Sequence, residues 1–388
     1  MKKNNLILLS SIMLMSIVSC NKVETSESNS TSVSESISSK EESSISLSSS
    51  LIDESKFTAH RFMNVKDELY LLPDEVYHLS KMVNKDDENA KLTYLTNHPA
   101  LNVSEDGVLT GKSIDSEKVS GDLYIVDETR FQKITVNVVD YNEYGNYFTS
   151  VDLGRLYHKN VVFFGDSITH NWAKYPSGNK PVTPEEIKQS QIDSLGYPGH
   201  YIPQLHKQCE FTSITNAAWS GGTMAWLPKS QERFTYKSFI GSIKENEEAV
   251  KKADIMFVFY GTNDLSDQVD VGTLADRAVI DDKTNETFVG SMSYGIQLIQ
   301  QLNPQANIVF FNLLTRTYPY TGKYTINDYC NAIENACRSY MLKMINIQNL
   351  FEVTEFNGNY SNDGLHLNDN GYKVLVDYIL SGQNNENN

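Results

Sequence analysis

Residues 161–170 read VVFFGDSITH, and this stretch decides how the rest of the chain is organised. Four successive apolar residues, Val161 to Phe164, show no in-out alternation and predict a strand buried on both faces, as in a parallel sheet covered by helices. Gly165 ends the run. A Gly-Asp-Ser directly after such a strand places Ser167 on a sharp turn at the strand's carboxyl end, where open α/β sheets keep their sites. Ser167 is therefore the candidate nucleophile. Gly, Asp and Ser are also ordinary turn formers, so the reading depends on what the rest of the chain supplies.

Downstream, strand and helix patterns alternate. Strands are expected near Val161–Gly165, Ser213–Ala217, Ile255–Tyr260, Asn307–Leu313 and Met344–Ile347. Between them lie helical repeats. Met292, Ile296 and Ile299 fall on one helical face before Pro304; Ile326, Tyr329, Ile333 and Tyr340 repeat the pattern; Tyr372, Leu375, Val376 and Ile379 follow the cap candidates Asn368 and Asp369. Five strands alternating with helices predict a parallel sheet covered on both faces.

Three further stretches carry polar residues suited to acyl transfer. Asn216–Met224, NAAWSGGTM, follows a predicted strand, and Gly221 with Gly222 lets the backbone turn tightly and present N–H groups to an anion. Tyr260–Leu265, YGTNDL, follows another, and the Asn263 amide is a donor suited to an oxyanion. Ser361–Asn368, SNDGLHLN, sets His366 three residues after Asp363. Each stretch alone reads equally well as a loop. Together they supply nucleophile, base, orienting carboxylate and oxyanion donors. Ser220 also lies beside glycines but lacks the preceding strand-Gly-Asp context, and Asp166 and Asp264 read as turn braces.

These blocks resemble the SGNH (GDSL) hydrolase superfamily over about Val161 to Leu380, with GDSIT, WSGGT, GTND and Asp-x-x-His matching in order. The resemblance implies a flavodoxin-like three-layer α/β sandwich with a five-stranded parallel sheet. It also implies a Ser-His-Asp mechanism: Ser167 attacks, His366 takes its proton, Asp363 orients the imidazole, and Ser167 N–H, Gly221 N–H and Asn263 hold the oxyanion. No G-x-S-x-G elbow, H-E-x-x-H, phosphate loop or dinucleotide fingerprint occurs, so no cofactor and no metal are expected.

The amino-terminal part reads differently. Lys2 and Lys3 precede an apolar run from Leu6 to Val18, followed by Ser19-Cys20. This resembles a bacterial lipoprotein signal over residues 1–20, which implies lipidation at Cys20 and a membrane-anchored, extracytoplasmic location. Residues 21–55 are nearly all Ser, Glu, Asn, Lys and Thr and predict a disordered tether. Residues 56–140 read as short strands and turns, a small β-sandwich. The run ALNVSEDGVLTGKS with ITVNVVDY resembles bacterial immunoglobulin-like group 2 domains. With no titratable cluster there, a spacer is expected, and a chain beginning near Tyr141 is expected to keep its turnover. Residues 141–159 read as a connection and 160–382 as the hydrolase domain.

The net charge of −16 is spread along the chain and argues against nucleic acid or an anionic surface as partner. Of four cysteines, Cys209, Cys330 and Cys337 remain beyond Cys20, with spacings that fit neither a disulfide framework nor a zinc site. The expected function is hydrolysis of acyl esters, acetyl foremost, on carbohydrate. The alternatives are a lysophospholipase or longer-chain lipid esterase, and a non-catalytic glycan-binding adhesin. The loop sequences HNWAKYPSGNKP and WSGGTMAWLPKS mix aromatic with polar residues, which suits a wet sugar-stacking groove; Trp219 and Trp226 are the candidate platforms, with core packing the equal alternative for each.

Overall fold

In the computed structural model, the described residues are 51–112, 119–139, 151–170, 199–227, 237–274, 286–305, 307–317 and 321–381. Cys20, residues 21–50 of the Ser/Glu-rich tether and the aromatic loop with Trp172, Tyr175 and Tyr197 lie outside them; residues 51–55, expected to be the end of the tether, are instead packed, with Ile52 buried against Tyr124 and Val126.

The amino-terminal described part consists of eight strands: β1 (Thr58–Ala59), β2 (Glu68–Leu71), β3 (Val76–His78), β4 (Thr93–Thr96), β5 (Leu101–Val103), β6 (Val108–Gly111), β7 (Val119–Val126) and β8 (Arg130–Val138). One sheet runs β1-β8-β7-β4, with β2 also pairing β8; the other runs β3-β6-β5. The β7–β8 hairpin turns at Asp127, whose carboxylate accepts the N–H groups of Thr129 and Arg130. Both sheets contribute to one apolar core that includes Leu71, Tyr77, Leu109, Leu123, Ile125, Ile134 and Val136. β1 and β3 are only two and three residues long.

Val151 to Leu156, expected to be a connection, is instead packed structure. Asp152 caps a single turn, α1 (Leu153–Leu156), by accepting Arg155 N–H at 3.0 Å. Leu153 packs against both the β-region core and the core of the parallel sheet. Arg155 is 2 % exposed; its guanidinium pairs with Glu75 Oε1 at 3.0 Å and donates to the Tyr70 carbonyl at 2.8 Å. Lys159 Nζ donates to the Val76 carbonyl. The next residue begins the central sheet.

That sheet consists of β9 (Asn160–Gly165), β10 (Ser213–Asn216), β11 (Ile255–Phe259), β12 (Asn307–Phe311) and β13 (Lys343–Ile345). All its pairings are parallel, in the order β10-β9-β11-β12-β13, the doubly wound order expected. Alternate residues enter opposite cores, Val161 and Phe163 on one face and Val162 and Phe164 on the other. This is why the run carries no polar residue. The first face is covered by α1, α2 (Tyr201–Cys209) and α7 (Asp369–Leu380); the second by α3 (Phe239–Glu245), α5 (Phe288–Leu302) and α6 (Ile326–Ser339). One short helix, α4 (Thr262–Asp267), starts directly after β11. Side-chain caps set the helix starts: Ser238 for α3, Thr287 for α5, a Thr325/Asp328 capping box for α6, and Asn368 for α7. Among the described residues no helix is long and apolar enough to cross a membrane. Cys209, Cys330 and Cys337 are buried free thiols.

Candidate active site

The polar residues converge at the carboxyl end of the parallel sheet. Ser167 follows β9 on a turn closed by Thr169 N–H and His170 N–H to the Asp166 carbonyl, while Asp166 Oδ1 accepts Ile168 N–H at 3.0 Å. The loop before α7 doubles back through Gly364 (φ +77°) and a Ser361–Leu367 bridge, which brings His366 over the serine. Ser167 Oγ lies 2.8 Å from His366 Nε2, and His366 Nδ1 lies 2.6 Å from Asp363 Oδ2. It is Ser167 that meets the histidine, across 199 positions of sequence.

Asp363 is fixed by its own loop: Oδ1 accepts the N–H groups of Leu365 and His366, the latter at 2.7 Å. Partial burial pushes its pKa up, but the hydrogen bonds from the His366 ring and from these two N–H groups outweigh that and hold it below the usual carboxylate range. An ionised carboxylate has no proton to offer. Nδ1 must then carry the ring hydrogen, which leaves the Nε2 lone pair to accept from the Ser167 hydroxyl.

Two further loops border the serine. After β10, Trp219 N–H bonds the Gly165 carbonyl, and Gly222 N–H bonds back to the Trp219 carbonyl around Gly221. Gly221 sits at φ +74°, where an L side chain is strained; a Cβ at Gly222 would stand 2.8 Å from the Trp219 carbonyl oxygen. Asp264 holds this loop in place, its two oxygens accepting Met224 N–H at 2.8 Å and Ala225 N–H at 2.9 Å. Full burial pushes Asp264 up to about 7 and Asp166 up to about 6, each opposed by the N–H groups it accepts. Both aspartates thus brace turns. The Asn263 amide spends one N–H on the Gly222 carbonyl at 2.8 Å and has a second to give. The bond ties the GTND loop to the glycine loop. Among the described residues no group accepts from the N–H of Ser167 or Gly221.

Trp219 is buried, its ring stacked on His170 at 5.9 Å, so it packs rather than presents a face. Trp226 is half-buried with Lys244 Nζ 5.1 Å from its ring centre. No cluster of three or more His, Cys, Asp or Glu suited to a metal occurs among the described residues.

A parallel α/β sheet with this serine, histidine and carboxylate at its carboxyl edge defines the class, an enzyme that hydrolyses esters. The family model described as GDSL-like Lipase/Acylhydrolase family matches residues 163–374, more than half of the chain, and the chain belongs to that family. No curated protein matches it. Among solved structures it is similar to a protein from Lactobacillus plantarum (19 % identity, 60 % of this chain and 99 % of that one, TM-score 0.43). A possible lipase from Chitinophaga pinensis matches at 20 % identity over 57 % of this chain and 95 % of that one, TM-score 0.39. An acetyl-xylooligosaccharide esterase from Geobacillus Stearmophilus matches at 16 % identity over 58 % and 93 %, TM-score 0.37.

Proposed function

We propose that the chain is a surface-anchored serine esterase that removes short acyl groups, acetyl foremost, from carbohydrate. The observation that carries the catalytic part is the continuous chain Ser167 Oγ, His366 Nε2, His366 Nδ1, Asp363 Oδ2 at 2.8 and 2.6 Å. His366 takes the hydroxyl proton as Ser167 Oγ attacks the ester carbonyl, and Asp363 stabilises the imidazolium that forms. The oxyanion is held by Ser167 N–H, Gly221 N–H and the remaining Asn263 amide hydrogen. The imidazolium returns its proton to the leaving alcohol. Water then repeats the sequence on the acyl-enzyme, releasing the acid and restoring the serine.

The substrate class is read from sequence alone: the stretches that follow Ser167 and β10 mix Trp and Tyr with Asn, Lys, Ser and Gly rather than running continuously apolar as a binding site for a long acyl chain would. A chain-length series of p-nitrophenyl esters, run beside acetate release from acetylated xylan and peptidoglycan, tests this. Turnover is expected to peak at acetate or propionate, with acetate freed from at least one glycan. Rates that climb to octanoate with no acetate released would instead favour the lipid-esterase alternative.

The same proposal includes the lipid anchor at Cys20, the Ser/Glu-rich tether and an immunoglobulin-like character for the β region. The two or more acyl chains of a lipoprotein suffice for stable retention where a single chain does not. In membrane fractions of an expressing bacterium, Cys20→Ser is expected to leave the protein unprocessed or released. Unchanged migration and fractionation of the variant would argue for an ordinary signal.

A further inference from the structure

The residue after the nucleophile has an unusual acceptor. The Ile168 carbonyl receives two hydrogen bonds from fully enclosed side chains, Tyr372 Oη at 2.9 Å and His200 Nε2 at 3.1 Å. Both donors are buried, His200 at 2 % and Tyr372 at 6 % exposure. A carbonyl oxygen has two lone pairs, so these bonds use its whole capacity.

The two rings belong to different parts of the chain. His200 is the residue before α2, and its Nδ1 accepts Ile202 N–H, capping that helix. With Nδ1 an acceptor, Nε2 must be the protonated nitrogen, so the ring is fixed in the tautomer that donates to Ile168. Burial pulls its pKa down to about 3, which keeps it neutral and in that tautomer at working pH. Tyr372 lies in the first turn of α7, and its N–H bonds the Asn368 carbonyl two residues beyond His366. The His200 and Tyr372 rings pack at 4.6 Å, with Tyr201 4.8 Å from the first and 5.9 Å from the second. Tyr201 Oη donates to Thr169 Oγ1, and Asn216 Nδ2 donates to the Thr169 carbonyl. No room is left for slack: a Cβ at Gly199 would stand 2.6 Å from Asp369 Oδ1 at the start of α7.

We infer that His200 and Tyr372 are positioning residues for the nucleophile, clamping the Ile168 carbonyl so that the serine turn and the helix behind the histidine loop move as one body. The inference rests on Ser167 being the nucleophile. Through Tyr372, the spacing between Ser167 Oγ and His366 Nε2 is set from behind rather than by the pair alone. Displacement of a reacting group by about 1 Å can cost on the order of 100-fold in rate, so a loosened clamp shows in turnover before it shows in binding.

The test uses the full chain and p-nitrophenyl acetate, with rates normalised to the fraction of protein labelled by a fluorophosphonate and folding checked by circular dichroism. Tyr372→Phe and His200→Leu are each expected to lower kcat roughly 10-fold at unchanged KM, since each removes one of the two bonds. His200→Gln, whose amide donates and accepts where the imidazole does, is expected to stay within about threefold of the parent. The double variant Tyr372→Phe with His200→Leu should fall by more than the product of the single effects, because only then is the buried carbonyl left without a donor. The inference is overturned if kcat per labelled site is unchanged while only the melting temperature falls, if KM rises with kcat constant, or if His200→Gln is as damaging as His200→Leu. Should His200→Leu fail to fold, Tyr372→Phe and His200→Gln decide the matter alone. A Ser167→Ala control separates the two failures: residual wild-type turnover there removes the nucleophile itself, whereas an inactive control beside undamaged clamp variants removes only the clamp.

Discussion

Replacing Ser167 by alanine is expected to lower kcat/KM on p-nitrophenyl acetate by at least about 10⁴-fold, and His366→Ala by a comparable factor. A serine hydroxyl is a weak nucleophile at neutral pH, and the histidine contributes only through the proton it removes, so neither residue works without the other. The double variant should therefore be scarcely worse than either single one. Asp363→Asn is expected to lose less, about 10³-fold, because the Asp363 side chain is 54 % exposed and water screens its charge. The measurement is steady-state hydrolysis on variants whose melting temperatures match the parent. A Ser167→Ala protein with parental turnover would falsify the assignment outright.

The second large effect concerns the β region. Glu75→Ala removes the carboxylate that pairs with the Arg155 guanidinium, 2 % exposed, and breaking a buried ion pair from one side costs about 3–5 kcal/mol. A fall in melting temperature of roughly 10 °C or more is expected for a unit of this size. Replacing both partners, Arg155→Met with Glu75→Leu, should recover much of the loss, since the buried pair is then replaced by apolar side chains. By the same reasoning a chain that begins near Tyr141 is expected to fold poorly and lose turnover. This reverses the expectation of a separable spacer. Such a chain would lack Glu75 and the Tyr70 and Val76 carbonyls, the partners of Arg155 and Lys159, just before β9. A soluble truncated chain with full turnover would show instead that the junction relaxes at no cost.

What was legible in the sequence is what local pattern encodes. Val161–Phe164 announces a doubly covered strand because every residue in it is apolar, and the doubly wound sheet follows from five strand patterns, not all of them as apolar as this one, separated by helical periods. Asn368 was readable as a cap because its side chain serves an N–H only three residues on. Asp363 and His366 were readable as a pair for the same reason of nearness. Features made by distant partners were not readable. Arg155 sits in what looks like a linker, and its buried guanidinium pairs with Glu75, 80 positions earlier. The Tyr372 hydroxyl meets the Ile168 carbonyl across 204 positions, where the sequence presents Tyr372 simply as one apolar member of an amphipathic helix. Asn263 was expected as an oxyanion donor, and its second task, holding the Gly222 carbonyl with one of its two N–H groups, was not readable.

The pairing of Ser167 with a histidine 199 residues later has a consequence for the order in which the enzyme is made. A chain is synthesised amino-terminus first, so the strand bearing the serine emerges and is able to collapse long before the loop bearing the base exists. During that interval the hydroxyl is no more reactive than any other serine. The α7 helix, which carries Tyr372 and starts beyond His366, emerges later still. Hydrolysis is thus withheld from the nascent chain by topology until the loop bearing His366 has been made and has reached the nucleophile turn.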